Sequence, residues 1–252
     1  MPIVFNNRSW TKADDSILEK IVSDKPDVVF LPDDFLYRAL AKDIESKTDA
    51  LVLFVAFFTP KSDLNLSKHQ AGVYCDAPVG HLVNTTSRLT EVGSIGLVGG
   101  PFANEIAQRI REKVPSNVKV DVTITASWID YAEALKKYGE SHDAIWPLAP
   151  FGVKHGDGSA VQEHQLNALI SEIKKPSLGY GMISKLDRSL EMEIDPRVLG
   201  ENAAHALFTY FRTGEKQINE FTSYTIRINH SHIRRLNLTV PDDLSGFLTL
   251  RD

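Results

Sequence analysis

Cysteine is nearly absent: Cys75 is the only one in 252 residues, so the chain holds no intramolecular disulfide. No apolar run approaches the roughly 20 residues a bilayer-spanning helix needs; the longest, Ala50 to Phe58, is far shorter, which argues against direct membrane insertion. Basic residues number 28 against 33 acidic ones, for a net charge of −5, and they are scattered rather than clustered. A nucleic-acid partner would call for a basic face, so none is expected. The opening MPIVFNNRSW lacks a basic segment followed by an apolar core and does not read as a signal peptide. No Gly-x-Ser-x-Gly elbow, P-loop or dinucleotide fingerprint occurs. His155-Gly156-Asp157 and His230-Ser231-His232 have no partners at ligand spacing, so neither a metal nor a cofactor is expected.

Strands alternating with helices fill most of the chain. Strand-like runs are Pro2–Phe5, Val28–Leu31, Leu51–Ala56, Ala71–Cys75, Ser94–Val98, Val118–Thr125, His142–Trp146, Ser177–Met182 and Thr222–Ile228, with Leu190–Ile194 as an extended link. Helical periodicity marks Ala13–Val22, Phe35–Ile44, Val79–Leu89, Ile106–Ile110 and its flanks, Tyr131–Tyr138, Gln162–Ile173 and Pro196–Arg212. Such alternation predicts an α/β fold with parallel sheets. There are many strand–helix units for one sheet, so two lobes are expected, with a boundary near Ser87–Gly93. The central stretch Val92–Trp128 is the clearest unit: strand, Gly99-Gly100-Pro101 turn, amphipathic helix, strand. Its crossover should be right-handed.

The functional hint lies in the residues at the exit of each strand. These exits are Asp33-Asp34, Phe57-Phe58-Thr59, Tyr74-Cys75-Asp76, Gly99-Gly100-Pro101, Ser127-Trp128, Trp146-Pro147 and Tyr180-Gly181. Aromatics, small residues and carboxylates thus collect at the sheet edge where open α/β folds bind small molecules. The candidate ligand contacts are Asp34, Phe57, Tyr74, Gly100, Trp128 and Trp146. Phe57, Trp128 and Trp146 would be apolar walls, Gly100 a backbone donor, Asp34 a partner for a ligand cation, and Tyr74 a polar tip. Each has a structural alternative: the aromatics can complete a core, the glycines a tight turn, and one aspartate a helix N-cap. No catalytic residue is assigned. A rival reading is a metabolite enzyme with Asp33 or Asp34 as base and Cys75 as nucleophile; a buried structural thiol is the alternative for Cys75.

Several short motifs, taken in order, resemble one family: Lys25-Pro26-Asp27-Val28-Val29, Gly72-Val73-Tyr74, the Gly-Gly-Pro unit, PSLGY at 176–180, VLGENAA at 198–204, TGEK at 213–216 and INHSHIRRLNLTVPDDL at 228–244. They resemble ABC-transporter substrate-binding proteins of the uncharacterised, tryptophan/tyrosine-type group. The resemblance implies a type I periplasmic-binding-protein fold, two Rossmann-like lobes joined by hinge strands and closing on a ligand between them. It places 1–88 in the first lobe, with helix 196–213 returning to it, 89–190 in the second, and 214–252 as a strand–helix segment near the hinge and second lobe. It further implies a small-molecule ligand, an amino acid or other carboxylate, a permease partner and a periplasmic or extracytoplasmic setting. Sensor domains of signalling systems are the alternative within the same resemblance. By this comparison the chain starts at the family's second strand, so the first lobe is expected to lack its first strand–helix unit, as a fragment or a shortened homologue. Absence of a signal-peptide pattern leaves a cytoplasmic or truncated form open.

Overall fold

A computed structural model describes residues 15–57, 59, 61, 64, 69–75, 77–180, 186–245 and 249–251. The expected strand Pro2–Phe5 lies outside them, as do Gly181 and Met182 of the expected strand 177–182. In chain order the elements are α1 (Asp15–Asp24), β1 (Val28–Leu31), α2 (Asp34–Lys47), β2 (Leu51–Ala56), β3 (Gln70–Cys75), α3 (Val79–Ser87), β4 (Ser94–Gly99), α4 (Asn104–Lys113), β5 (Lys119–Ile124), α5 (Trp128–Ser141), β6 (Ala144–Pro147), α6 (Glu163–Glu172), β7 (Leu178–Tyr180), β8 (Leu190–Glu193), α7 (Pro196–Thr213), β9 (Gln217–Phe221), β10 (Thr225–Asn229), α8 (His230–Arg235), α9 (Asp242–Ser245) and β11 (Thr249–Arg251). A 3-10 turn at Pro101–Ala103 leads into α4.

The chain forms two units. The first takes the sequence as far as Ala77 together with Asp195–Ser223; the second takes Pro78–Ile194 and the chain from Tyr224 on. The polypeptide therefore passes from one unit to the other three times. Residues 214–223, expected near the hinge and second lobe, belong to the first unit. The reason is β9, whose backbone pairs in parallel with β3 from Ala71↔Gln217 to Cys75↔Phe221.

The sheet of the first unit runs β1-β2-β3-β9 and is parallel throughout. Its central strand β2, Leu-Val-Leu-Phe-Val-Ala, is buried along its whole length, as a strand covered on both faces must be. Val52, Phe54 and Ala56 pack with Leu18 and Ile21 of α1 and Leu40, Ala41 and Ile44 of α2. Leu51 and Leu53 point the other way, toward Ala206, Leu207 and Tyr210 of α7. Period-two alternation in one strand thus divides two helical layers. Gly72 lies opposite Phe54, and a Cβ there would sit 2.5 Å from the Phe54 carbonyl oxygen and 2.7 Å from its ring.

In the second unit β5-β4-β6 form a parallel sheet. A single parallel bridge, Ile145↔Ser177, connects β6 to the segment entering β7 and so to the sheet β7-β8-β10-β11. The β8–β10 pair is antiparallel. One face is covered by α5 and α6: Tyr131, Leu135 and Tyr138 meet Leu166, Leu169, Ile170 and Ile173 over Val98 and Ile145. Among the described residues no helix is long and apolar enough to cross a membrane.

Candidate functional site

The exits of parallel strands are the sites to inspect, and the two units treat theirs differently. In the first unit, Asp33 caps α2, accepting from Leu36 N–H at 2.7 Å. Its neighbour Asp34 opens the helix with its carboxylate turned to the loop after β2. Phe57 N–H donates to it at 2.7 Å, Thr59 N–H at 2.6 Å and the Thr59 hydroxyl at 2.5 Å. Arg38 Nε donates to the same hydroxyl at 3.2 Å. Asp34 therefore ties an irregular loop to a helix start, supplying acceptors to backbone N–H groups that no strand partner satisfies.

Phe57 is 1% exposed and Tyr74 belongs to the core cluster with Tyr37 and Phe54. Cys75 is equally enclosed. Burial, with the Asp34 charge adding to it, pushes its thiol pKa up to about 12. A nucleophilic cysteine needs the opposite shift, so at neutral pH this thiol stays protonated and fits the structural reading. Among the described residues no group of three or more metal-ligating side chains occurs.

The exits of the second unit are more open. Ser127, expected with Trp128 as the tip of a strand exit, caps α5 by accepting from Asp130 N–H at 3.4 Å. Trp128 is consequently the first residue of that helix. It is half-buried, stacked on Tyr131 at 5.9 Å and 19°, with His155 edge-on at 5.9 Å. Beside it Ile129 is 62% exposed, and Phe151, in the loop after β6, is 42% exposed. Neither exposed apolar residue stands out in the sequence. Ile129 reads as an ordinary helix position and Phe151 as part of a proline-rich loop, and periodicity does not reveal which apolar residues lack a cover.

Gly100 and Trp146 lie deeper. A Cβ on Gly100 would stand 2.1 Å from the Phe151 carbonyl oxygen and 3.0 Å from Val153 Cγ2. The close approach that the glycine permits is therefore made by the chain's own 150–153 loop. Trp146 is 1% exposed, one of the largest fully buried side chains, and its indole N–H has no acceptor among the described residues.

Beneath these exits sits a buried polar group that no local motif announces. Arg188, just before β8, runs along Gly179: a Cβ there would be 1.9 Å from Arg188 Cδ. Its guanidinium donates to Tyr180 O at 3.2 Å, Pro147 O at 3.1 Å and Glu191 Oε1 at 2.9 Å. Tyr131, wholly buried, donates its hydroxyl to Leu148 O at 2.6 Å, with Val98 O at 3.3 Å. Burial works against both members of the ion pair, holding Glu191 above and Arg188 below their ordinary pKa ranges, and the Arg188 charge draws Glu191 back toward ionisation.

No known protein-family profile matches this chain, and no curated protein sequence does either. Solved structures do. An ABC domain from Streptococcus pneumoniae, in complex with L-Trp, superposes with a TM-score of 0.73 at 17% identity, over 93% of this chain and 82% of that one. A conserved domain protein from Vibrio cholerae gives 0.71 at 19% identity, over 94% and 82%. The ligand-free, open structure of a substrate-binding protein with adhesive properties from Clostridium difficile gives 0.64 at 14%, again over 94% and 82%. At such identities the likeness speaks of architecture. Two α/β units linked by three chain passages, with parallel strands in both, have the architecture of the type I periplasmic-binding-protein fold.

Proposed function

We propose that the chain is a solute-binding protein that captures a small organic ligand at the carboxyl ends of its parallel strands. The ligand class is an amino acid or a related carboxylate with an apolar or ring portion. One observation carries this reading: Trp128, Ile129 and Phe151 present apolar surface on the strand-exit edge of the second unit, where α/β folds take ligands. The L-Trp held by the pneumococcal structure of the same fold supports the ligand class. In this proposal Trp128, Ile129 and Phe151 touch the ligand. Gly100 and Trp146, being buried, shape the loops behind. Delivery to a membrane permease on the outer side of the membrane is the transport role proposed with it. The rival in which Cys75 attacks a substrate is disfavoured by its protonated, enclosed thiol.

A thermal-shift screen of the purified chain against the standard amino acids and small carboxylates tests the idea. A ligand at a hundred times its Kd stabilises by about 2.7 kcal/mol, which shows as a rise of a few degrees in Tm. Trp128→Ala is expected to remove the shift while the unliganded protein still unfolds cooperatively. No shift with any compound, or an unchanged shift in the variant, sinks the proposal or its site respectively.

A further inference from the structure

We propose that Tyr131 and Arg188 are positioning residues for the ligand site of the second unit, holding the ends of β4, β6 and β7 in the register that binding requires. The inference rests on the ligand-site reading above and adds what controls that site's affinity. Four backbone carbonyls at these strand ends are gathered by two side chains. Val98 O lies one residue before the end of β4, Pro147 O ends β6 with Leu148 O just beyond it, and Tyr180 O ends β7. A strand exit leaves its last carbonyls without ladder partners, and in a dry interior each needs a donor. Here the donors come from outside the loops: the Tyr131 hydroxyl rises from α5, and the Arg188 fork reaches in from the start of β8. Leu148 N–H also donates to Val98 O at 2.9 Å, so β4 and β6 are locked at the point where their loops diverge.

From there the geometry passes to the ligand-facing residues. The segment after Leu148 folds back so that the Phe151 carbonyl rests on Gly100. The Phe151 ring and the Pro101-Phe102 turn consequently take their places from one locked point. Tyr131 also stacks under Trp128, so one side chain supports both walls. Two glycines keep the arrangement possible, Gly179 beneath the arginine stem and Gly100 beneath the loop. Arginine suits the task because a planar fork can address a carboxylate and two carbonyls together, which a lysine ammonium on a flexible stem cannot.

The test compares wild type, Tyr131→Phe and Arg188→Lys, with two readouts: hydrogen exchange of the ligand-free proteins and calorimetric titration with L-tryptophan. Tyr131→Phe keeps the ring and loses only the hydroxyl, so global stability should change little. Loss of that hydrogen bond is expected to speed exchange in residues 148–153 by up to about tenfold and to raise the Kd by a similar factor. Arg188→Lys should do the same to residues 147–153 and 178–180, with a larger rise in Kd. Exchange that rises evenly across the second unit overturns the proposal, as does faster loop exchange with an unchanged Kd. If wild type fails to bind L-tryptophan, that compound falls as the ligand on that result alone, while the exchange data still decide whether the two residues position the loops.

Discussion

Two glycines on parallel strands, one in each unit, make room for opposite kinds of neighbour. Gly72 on β3 admits the Phe54 ring, and Gly179 on β7 admits the Arg188 side chain. The first unit closes its strand exits with apolar packing and one carboxylate that serves the backbone. The second builds a buried ion pair below its exits and leaves aromatic surface above. A closed exit gains stability from area removed from water. An open one forgoes that gain and needs another way to hold its loops. The buried Arg188–Glu191 pair is an expensive solution, since desolvation opposes both charges, and its cost is intelligible where loop geometry matters.

The strongest way to break the contrast is at the ion pair. Arg188→Ala leaves Glu191 buried without its partner and should destabilise the protein by about 3–5 kcal/mol, measured by urea unfolding. The double variant Arg188→Met with Glu191→Leu should recover most of that loss, because apolar replacement of a buried pair is often neutral. A double variant as unstable as the single one would mean that the charges themselves hold the unit together. Next in size is Gly72→Ala. Its new methyl meets the Phe54 carbonyl at 2.5 Å, and overpacking of this kind costs about 1–3 kcal/mol. A neutral result would show that the first unit is looser than its packing implies.

The smallest effect sharpens the polar character of the second unit. His232 on α8 is 5% exposed, with Nε2 3.3 Å from Asp187 and no partner at Nδ1 among the described residues. Burial lowers its pKa below the usual 6.5, Asp187 working against the shift and Arg235 with it. The folded value lies below the unfolded one, so the unfolded chain binds the extra proton first. Stability from this group is therefore complete above about pH 6.5 and declines as the pH falls below it. Urea midpoints at pH 7.5 and pH 5.5 should show the decline in wild type and less of it in His232→Asn.

Much of the fold is legible in the sequence because its signals are local. β2 is an uninterrupted apolar run, α7 opens on Asp195-Pro196 with the Asp195 carboxylate accepting from Arg197 N–H, and each strand–helix alternation has its own cap or breaker. β9 escapes because Gln-Ile-Asn-Glu-Phe neither alternates cleanly nor is apolar. It is a strand because β3 offers it an edge, a property of distant residues. Trp128 reads as a loop residue although Ser127 three residues before Asp130 is a helix-start pattern. At the candidate site, position after a strand picks out the aromatics, but exposure depends on what packs above them. That separates Trp128 from Trp146, which look alike in sequence. The Arg188–Glu191 spacing resembles any surface pair, and nothing within Leu-Asp-Arg-Ser-Leu-Glu announces that both charges are interior.

The threefold passage of the chain between its units bears on how the protein is made. Neither unit is a continuous stretch of polypeptide, so a ribosome cannot release one finished half and then the other. While residues up to Ala77 emerge, the sheet of the first unit has three of its four strands and exposes β3 along an apolar edge. That edge stays uncovered until Phe221 has been synthesised and β9 can pair, and α7, which shields the adjoining face, arrives only shortly before. At roughly 5–20 residues per second, this leaves an interval of about 7 to 30 seconds in which β3 is open to unintended partners. Nascent chains of this protein should therefore be most vulnerable to aggregation during translation of the second unit, after its own strands β4 to β8 have already begun to pair.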